Sequence, residues 1–222
     1  MDWKGLPIVI FGTGGISKEV FQIIQQINDS NLVKVYDFIG FIGKDIAEMN
    51  LEVIGGYRVV SYDNEFIEFT ENFRVLGAVI PNGLPEIKRE IYRRIVQVNN
   101  LVYPNIIHPN VVFDSKTIKM GFGNIIGSGV SLTCEIIIGN FNLINLNNTI
   151  GHNIRIGDYN VLNPLVSISG NVEIGDGCLI GTGANILQNL VINSDSIVGA
   201  GAVVIKDVEK STTVVGVPAR IK

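Results

Sequence analysis

Apolar and polar positions follow two different rules along this chain. Over the first hundred residues, short apolar runs alternate with helical patterns. LPIVIF (residues 6–11) is a run of the buried-strand type, GTGG (12–15) is a turn, and ISKEVFQIIQQIN (16–28) is a helix. In that helix Val20, Ile23, Ile24 and Ile27 fall at i, i+3, i+4 and i+7, which defines one apolar face. The runs VYDFIGFI, LEVIGGYRVV and FRVLGAVI follow, and then PEIKREIYRRIVQVNN, a second amphipathic helix with Ile87, Ile91 and Ile95 on one side. Strand, helix and strand joined by a glycine-rich first turn predict a small parallel α/β domain of Rossmann type over residues 1–103.

From about residue 104 the rule changes. Stepping by six from Met120 gives Ile126, Leu132, Ile138, Ile144, Ile150, Ile156, Leu162, Ile168, Ile174, Ile180, Ile186, Ile192, Val198 and Val204. Every one of these 15 positions is methionine or a branched aliphatic. Neither a helix nor an alternating strand has a six-residue period. A hexapeptide repeat predicts a parallel β-helix over residues 104–222, each hexad forming one side of a triangular coil. Three sides make an 18-residue coil, and 15 hexads make five coils. Glycine directly after the aliphatic, at 127, 139, 151, 157, 175, 181 and 199, is expected to allow a tight corner. Periodicity does not give the handedness.

Composition narrows the function. With 46% hydrophobic residues the 222-residue chain can bury one or two cores. The net charge is −4 and no basic run exceeds two residues, which argues against nucleic acid as a partner. The opening MDWKGLPIVIF reads as neither signal peptide nor membrane span, so a soluble cytoplasmic protein is the default. Two cysteines form no disulfide framework or metal spacing. Two histidines are too few for a His₃ zinc enzyme on a β-helix. No outward threonine ladder suggests an ice-binding solenoid, and the glycine turn lacks the full dinucleotide fingerprint, which disfavours a dehydrogenase.

The hexads, HPN at 108–110, IGDYNVLNP at 156–164, SGNVEIGDG at 169–177 and the ending VGAGAVVIKDV…VVGVPARI resemble one family. It is the left-handed β-helix acyltransferases of the sialic-acid O-acetyltransferase and nucleotide-amino-sugar N-acetyltransferase group. The resemblance covers nearly the whole chain. It implies a left-handed coil, a trimer, and acetyl-CoA lying between adjacent β-helices. It also implies a cytoplasmic acetyl-CoA-dependent N-acetyltransferase of nucleotide-linked amino sugars in surface-glycan synthesis, without a metal. O-acetylation of a sialic-acid-like sugar is the alternative.

His152 carries the chemistry in this reading. It lies two residues after the inward Ile150, at a corner where its side chain should point outward. One coil away stand Cys134 on one side and Gly170 on the other, and the glycine is expected to leave room for a thioester. Imidazole titrates near neutral pH and can take the proton of an attacking amine or hydroxyl. His152 matches the family's catalytic histidine, and the Gly170 N–H is a candidate oxyanion donor. The chain departs from the family pattern in having Asn153 where an acid often follows the histidine. Glu135, stacked beside Asn153, is expected to replace that acid. A second family histidine is Val161 here. Cys134 raises an acyl-cysteine route, but CoA is already an activated thioester and direct attack needs no covalent step. Cys178 reads as core, and His108 as structural.

The remaining site residues come from the resemblance. Gly170 and Thr182 are expected along the pantetheine arm of CoA, Ala200 elsewhere in the acetyl-CoA site, and Lys206 or Arg220 at its phosphates. Gly12, Thr13, Gly14 and Gly15 would hold the nucleotide at a helix N-terminus. Gly43 and Lys44 in the loop after the second strand, where relatives often carry acids, and Asn82 would complete that pocket. Outward Leu143, Leu146, Leu165 and Leu187 would leave apolar surface in water unless a neighbouring prism covered it, which favours the homotrimer.

Overall fold

The computed structural model describes residues 3–222. The chain divides into two compact units. One runs to Asn82 and resumes over Ile87–Pro109, and the other comprises Gly83–Glu86 and Asn110–Lys222.

In the first unit a sheet is built from β1 (Leu6–Phe11), β2 (Tyr36–Gly43), β3 (Glu52–Ile54), β4 (Tyr57–Tyr62), β5 (Leu76–Val79) and β6 (Leu101–Val102), in the order β3-β4-β2-β1-β5-β6. All pairings are parallel except β3 with β4. Strand β1 runs down the middle, and its Ile8, Val9 and Ile10 are wholly buried. This is why its sequence reads as an unbroken apolar run. Helix α1 (Gly15–Asp29) buries Val20, Phe21, Ile23 and Ile24, while Ile27 in its last turn is half-buried. Phe21 meets Phe38 and Tyr57 at centroid distances of 4.9 Å each, an aromatic cluster joining helix to sheet. A 3-10 turn (Ile46–Glu48) follows β2, and the further helices are the short α2 (Phe66–Thr70) and α3 (Pro85–Ile95). The chain moves outward from β1 to β2 and β4, then returns to place β5 on the other side of β1. That reversal is a topological switch point, where the carboxyl ends of open parallel sheets bind ligands.

The second unit is the β-helix, wound in the left-handed sense. Strand pairs lie 18 residues apart: Ser131 with Thr149, Arg155 with Glu173, Leu143 with Val161. All the aliphatics of the six-residue ladder from Ile126 to Val204 are at most 3% exposed, while Met120 at the first coil is half-buried. Each fully buried one contributes about 1.5–3 kcal/mol. A second inward column reads Asn124, Asn142, Asn160 and Cys178, all at most 1% exposed. Each asparagine Oδ1 accepts the backbone N–H of the next coil, from Asn142 at 2.9 Å, Asn160 at 2.8 Å and Cys178 at 2.7 Å. Burial pushes the Cys178 thiol up to about 11, in keeping with its expected place in the core.

Two expectations need correction here. The residues that turn the corners are not the glycines following each aliphatic. The left-handed backbone falls two positions later, at Glu135, Phe141, Asn147, Asn153, Tyr159, Leu165, Asn171 and Asn189, and at glycines such as Gly177 and Gly183. The glycines directly after the aliphatics answer to close approach instead. A Cβ on Gly139 would run into the Asp158 carboxylate, and one on Gly181 into the Ala200 nitrogen. The second correction is Leu143, expected on the surface but 4% exposed. Its neighbours Ile125 and Val161 are buried with it, so the outer side of those three rungs is covered. Leu146, Leu165 and Leu187 are exposed as expected, at 37%, 59% and 45%.

Candidate active site

His152 stands at the corner between the strands Thr149–Ile150 and Arg155–Ile156, with its side chain exposed. The corner is pinned from both sides. Asn153 N–H donates to the Cys134 carbonyl at 3.1 Å, and Asn171 N–H donates to the His152 carbonyl at 2.9 Å. Asn153 takes the left-handed conformation, φ +58°, which its short amide side chain tolerates.

The ring is held by a two-step chain of hydrogen bonds. Asn153 Nδ2 donates to Glu135 Oε2 at 2.6 Å, so its Oδ1 is the atom 2.7 Å from His152 Nδ1. A carboxamide oxygen only accepts, and therefore His152 Nδ1 carries the proton. Nε2 is left with its lone pair, as a general base requires. Glu135 thus connects to the ring through Asn153 and not by direct contact.

Gly170 proves to be a different kind of neighbour from the one expected. A Cβ there would lie 2.5 Å from both Nε2 and Cε1 of His152. The imidazole itself fills the room that the missing side chain leaves. Among the described residues no acceptor takes the Gly170 N–H, so this donor is free beside Nε2.

The residues expected around CoA fall in three places. Lys206 is on the same corner column as His152 and Gly170, two coils beyond Gly170, and is exposed. Thr182 and Ala200 follow the strands Leu179–Ile180 and Ile197–Val198, at the opposite edge of the sheet formed by Ser131, Thr149, Ser167, Asn185 and Val203. Arg220 lies in the antiparallel strand Arg220–Ile221. One chain therefore does not bring Gly170 and Thr182 together. Cys134 is exposed on the other side of the histidine, and no hydrogen bond joins its sulfur to the ring. His108 Nε2 meets the Gln26 side chain within the first unit, a structural contact.

In the first unit a cavity of about 350 Å³ opens at the carboxyl ends of β1 and β2. Gly12, Gly43, Lys44 and Asn82 all line it. Thr13, Gly14 and Gly15 do not; they lie at the start of α1, and Gly14 leads into the helix without a side-chain cap. Gly12 adopts φ +88° and its N–H donates to the Ile42 carbonyl, so that amide is committed. Glu48, which the sequence did not single out, bridges the two loops. Its carboxylate accepts the Lys44 N–H at 2.7 Å and the Thr13 hydroxyl at 3.4 Å. The cavity also explains α3. Of the expected apolar side only Ile95 is core, while Ile87 and Ile91 line the cavity. Asp63 and Arg94, paired at 2.7 Å, form another part of the wall. The signal for these residues was the helix periodicity itself, which gave the apolar side but not the cavity that Ile87 and Ile91 line.

Among the described residues no group of three or more His, Cys, Asp or Glu side chains could hold a metal, and no helix is long and apolar enough to cross a membrane.

Comparison with known proteins adds two family matches. Residues 153–188 match the bacterial transferase hexapeptide (six repeats) model, and residues 7–95 match the PglD N-terminal domain. No curated protein sequence matches the chain. Among solved structures, a mutant of perosamine N-acetyltransferase from Caulobacter crescentus, in complex with CoA and GDP-perosamine, is 25% identical. The match covers 97% of this chain and 96% of that one, with a TM-score of 0.87. WeeI from Acinetobacter baumannii AYE is 28% identical over 98% of this chain and 100% of that one, with a TM-score of 0.82. The acetyltransferase domain of PglB from Neisseria gonorrhoeae FA1090, in complex with acetyl coenzyme A, shares the fold at 20% identity, with 98% and 100% covered and a TM-score of 0.84.

Proposed function

We propose, for a chain that belongs to the left-handed β-helix hexapeptide acyltransferases and is an acetyltransferase, that it moves the acetyl group of acetyl-CoA onto the amine of a nucleotide-linked amino sugar. The observation that carries this reading is the ring of His152, with Nδ1 committed to Asn153 and Nε2 free beside an unused backbone N–H. The likeness to an N-acetyltransferase bound to CoA and GDP-perosamine supports it. So does the cavity of the first unit, since a free sugar would need no nucleotide pocket.

The amine nitrogen attacks the thioester carbonyl while His152 Nε2 takes its proton. The oxyanion that forms accepts from the Gly170 N–H. As the carbon–sulfur bond breaks, CoA leaves as the thiolate and the imidazolium returns the proton to it. Amide and free CoA result. Asn153 keeps the tautomer, and Glu135, through that amide, favours the charged ring of the intermediate state. No covalent enzyme intermediate and no metal enters. In the first unit, Gly12, Gly43, Lys44 and Asn82 hold the nucleotide, with Gly14 and Gly15 presenting the helix N-terminus. The setting is cytoplasmic synthesis of a surface glycan.

The test is CoA release from acetyl-CoA with a panel of UDP-, dTDP- and GDP-linked amino sugars, run beside free amino sugars and sialic acids. Turnover of one nucleotide-linked amine is expected, and His152→Ala should lower its kcat by about two to four orders of magnitude. Near-normal kcat in that variant would remove the base assignment, and exclusive O-acetylation of a sialic acid would replace the function.

A further inference from the structure

Glu135 and Asn153 also form one wall of a second cavity of about 350 Å³, lying wholly within the β-helix. Its floor is the outer side of the sheet that carries Lys119, Ile137 and Arg155, and Thr117 and Ile154 complete the lining. Lys119, Ile137 and Arg155 are direct register neighbours on successive coils. Two coil spacings, about 10 Å, therefore separate the backbones of the two cationic residues, with an apolar residue between them. Among the described residues neither Lys119 nor Arg155 forms an ion pair, although Glu173 is the next rung beyond Arg155. The Glu135 carboxylate in the same wall is held by the Asn153 amide at 2.6 Å. The groove thus offers two unpaired cations, one of them a guanidinium suited to bidentate contact with phosphate.

We propose that this groove binds the sugar-proximal phosphate of the acceptor's diphosphate, with Lys119 and Arg155 as its ligands. The inference rests on the function proposed above. Both substrates of that reaction carry a diphosphate, and chemistry separates them. In CoA the whole pantetheine arm lies between the diphosphate and the reacting sulfur. In a nucleotide-linked amino sugar only the sugar ring lies between the phosphate and the amine. A group seated against Asn153 is one residue from the base, and only the short link fits there. Direction gives the same answer. Gly170 and Lys206, assigned to CoA, continue from His152 toward later coils, while the groove extends over Glu135, Ile137 and Lys119 toward earlier ones. Donor and acceptor then approach the ring from opposite ends of one corner.

The experiment varies both substrates with Lys119→Gln, Arg155→Gln and the double variant of the full chain. Each single change is expected to raise KM for the nucleotide-linked amino sugar about tenfold, the worth of one charge-assisted hydrogen bond, and the double change further. The kcat and the KM for acetyl-CoA should stay within about threefold, as neither residue touches the reacting atoms. Inorganic pyrophosphate should compete with the acceptor in the unaltered protein and lose that competition in the double variant. An unchanged acceptor KM in the double variant overturns the proposal. So does a rise confined to the acetyl-CoA KM, which would put the donor's diphosphate in the groove. If the unaltered protein turns over no nucleotide-linked amino sugar, the function fails and takes this subsite with it, a result distinct from active protein with indifferent variants.

Discussion

An amide beside a histidine can orient the ring but cannot carry the negative charge that an acid would. On the function proposed above, the two jobs around His152 divide between two residues, with Asn153 touching Nδ1 and Glu135 placed one hydrogen bond further out. This arrangement changes what substitutions should do. Asn153→Asp, which sequence comparison alone would suggest as an improvement, places a second carboxylate at hydrogen-bond distance from Glu135. Two carboxylates that close do not both ionise. We expect Asn153→Asp to lower kcat, and the pair Asn153→Asp with Glu135→Gln to recover it, since one carboxylate and one amide are restored in reversed order. Glu135→Gln alone removes the carboxylate that holds the Asn153 amide, and kcat should fall with little change in KM. Measuring kcat and KM for the four proteins decides it. If Asn153→Asp is as active with Glu135 as without it, the two side chains are not coupled. At this scale the sequence disclosed the residues, through the 18-residue spacing of 135 and 153, but not which atom faces which. It also misjudged Gly170, because a missing side chain leaves a space without naming its occupant.

Elements of the β-helix were legible because one side of every hexad must be dry. A period of six in aliphatics has no other physical solution, and the ladder from Ile126 to Val204 is buried throughout. Corner chemistry was harder to read. Left-handed backbone and close backbone approach both select glycine, and only coordinates separate Gly183, with φ +70°, from Gly139, pressed against Asp158. The buried column Asn124, Asn142, Asn160 was visible as an 18-residue repeat, yet a polar residue in a dry core is easily passed over. Its role predicts a cost. Asn142 accepts from the Asn160 N–H and donates to the Asn124 side chain at 3.0 Å. Asn142→Leu should strand a buried backbone donor and lower stability by about 1–3 kcal/mol, with little change in KM. Urea unfolding measures it; a midpoint unmoved from the parent protein would mean that the column is not holding the coils in register.

On the scale of the whole molecule, sequence grammar separated an α/β unit from a solenoid, since periods of 3.6 and 6 cannot be confused over this length. It could not tell core from cavity wall on α3, where Ile87 and Ile91 line a cavity, because periodicity reports an apolar side and not what covers it. The same limit applies to the assembly, and here the geometry supplies an argument. The groups assigned to CoA are split between the two edges of one sheet, His152, Gly170 and Lys206 at one and Thr182 and Ala200 at the other. Exposed leucines mark both edges, Leu187 on the first and Leu146 and Leu165 on the second. A contact that sets one edge of a chain against the other edge of the next would join the two halves of the CoA set and bury those leucines, at roughly 25 cal/mol per Å². Such a contact is heterologous, and threefold rotation of a triangular prism closes it without an open end. We therefore expect a homotrimer, three times the 24.2 kDa chain by light scattering at assay concentration. Leu165→Asp, at the most exposed of these leucines, should lower the mass and the activity together. Fully active protein with the mass of a single chain would mean that each chain holds CoA alone, along one corner.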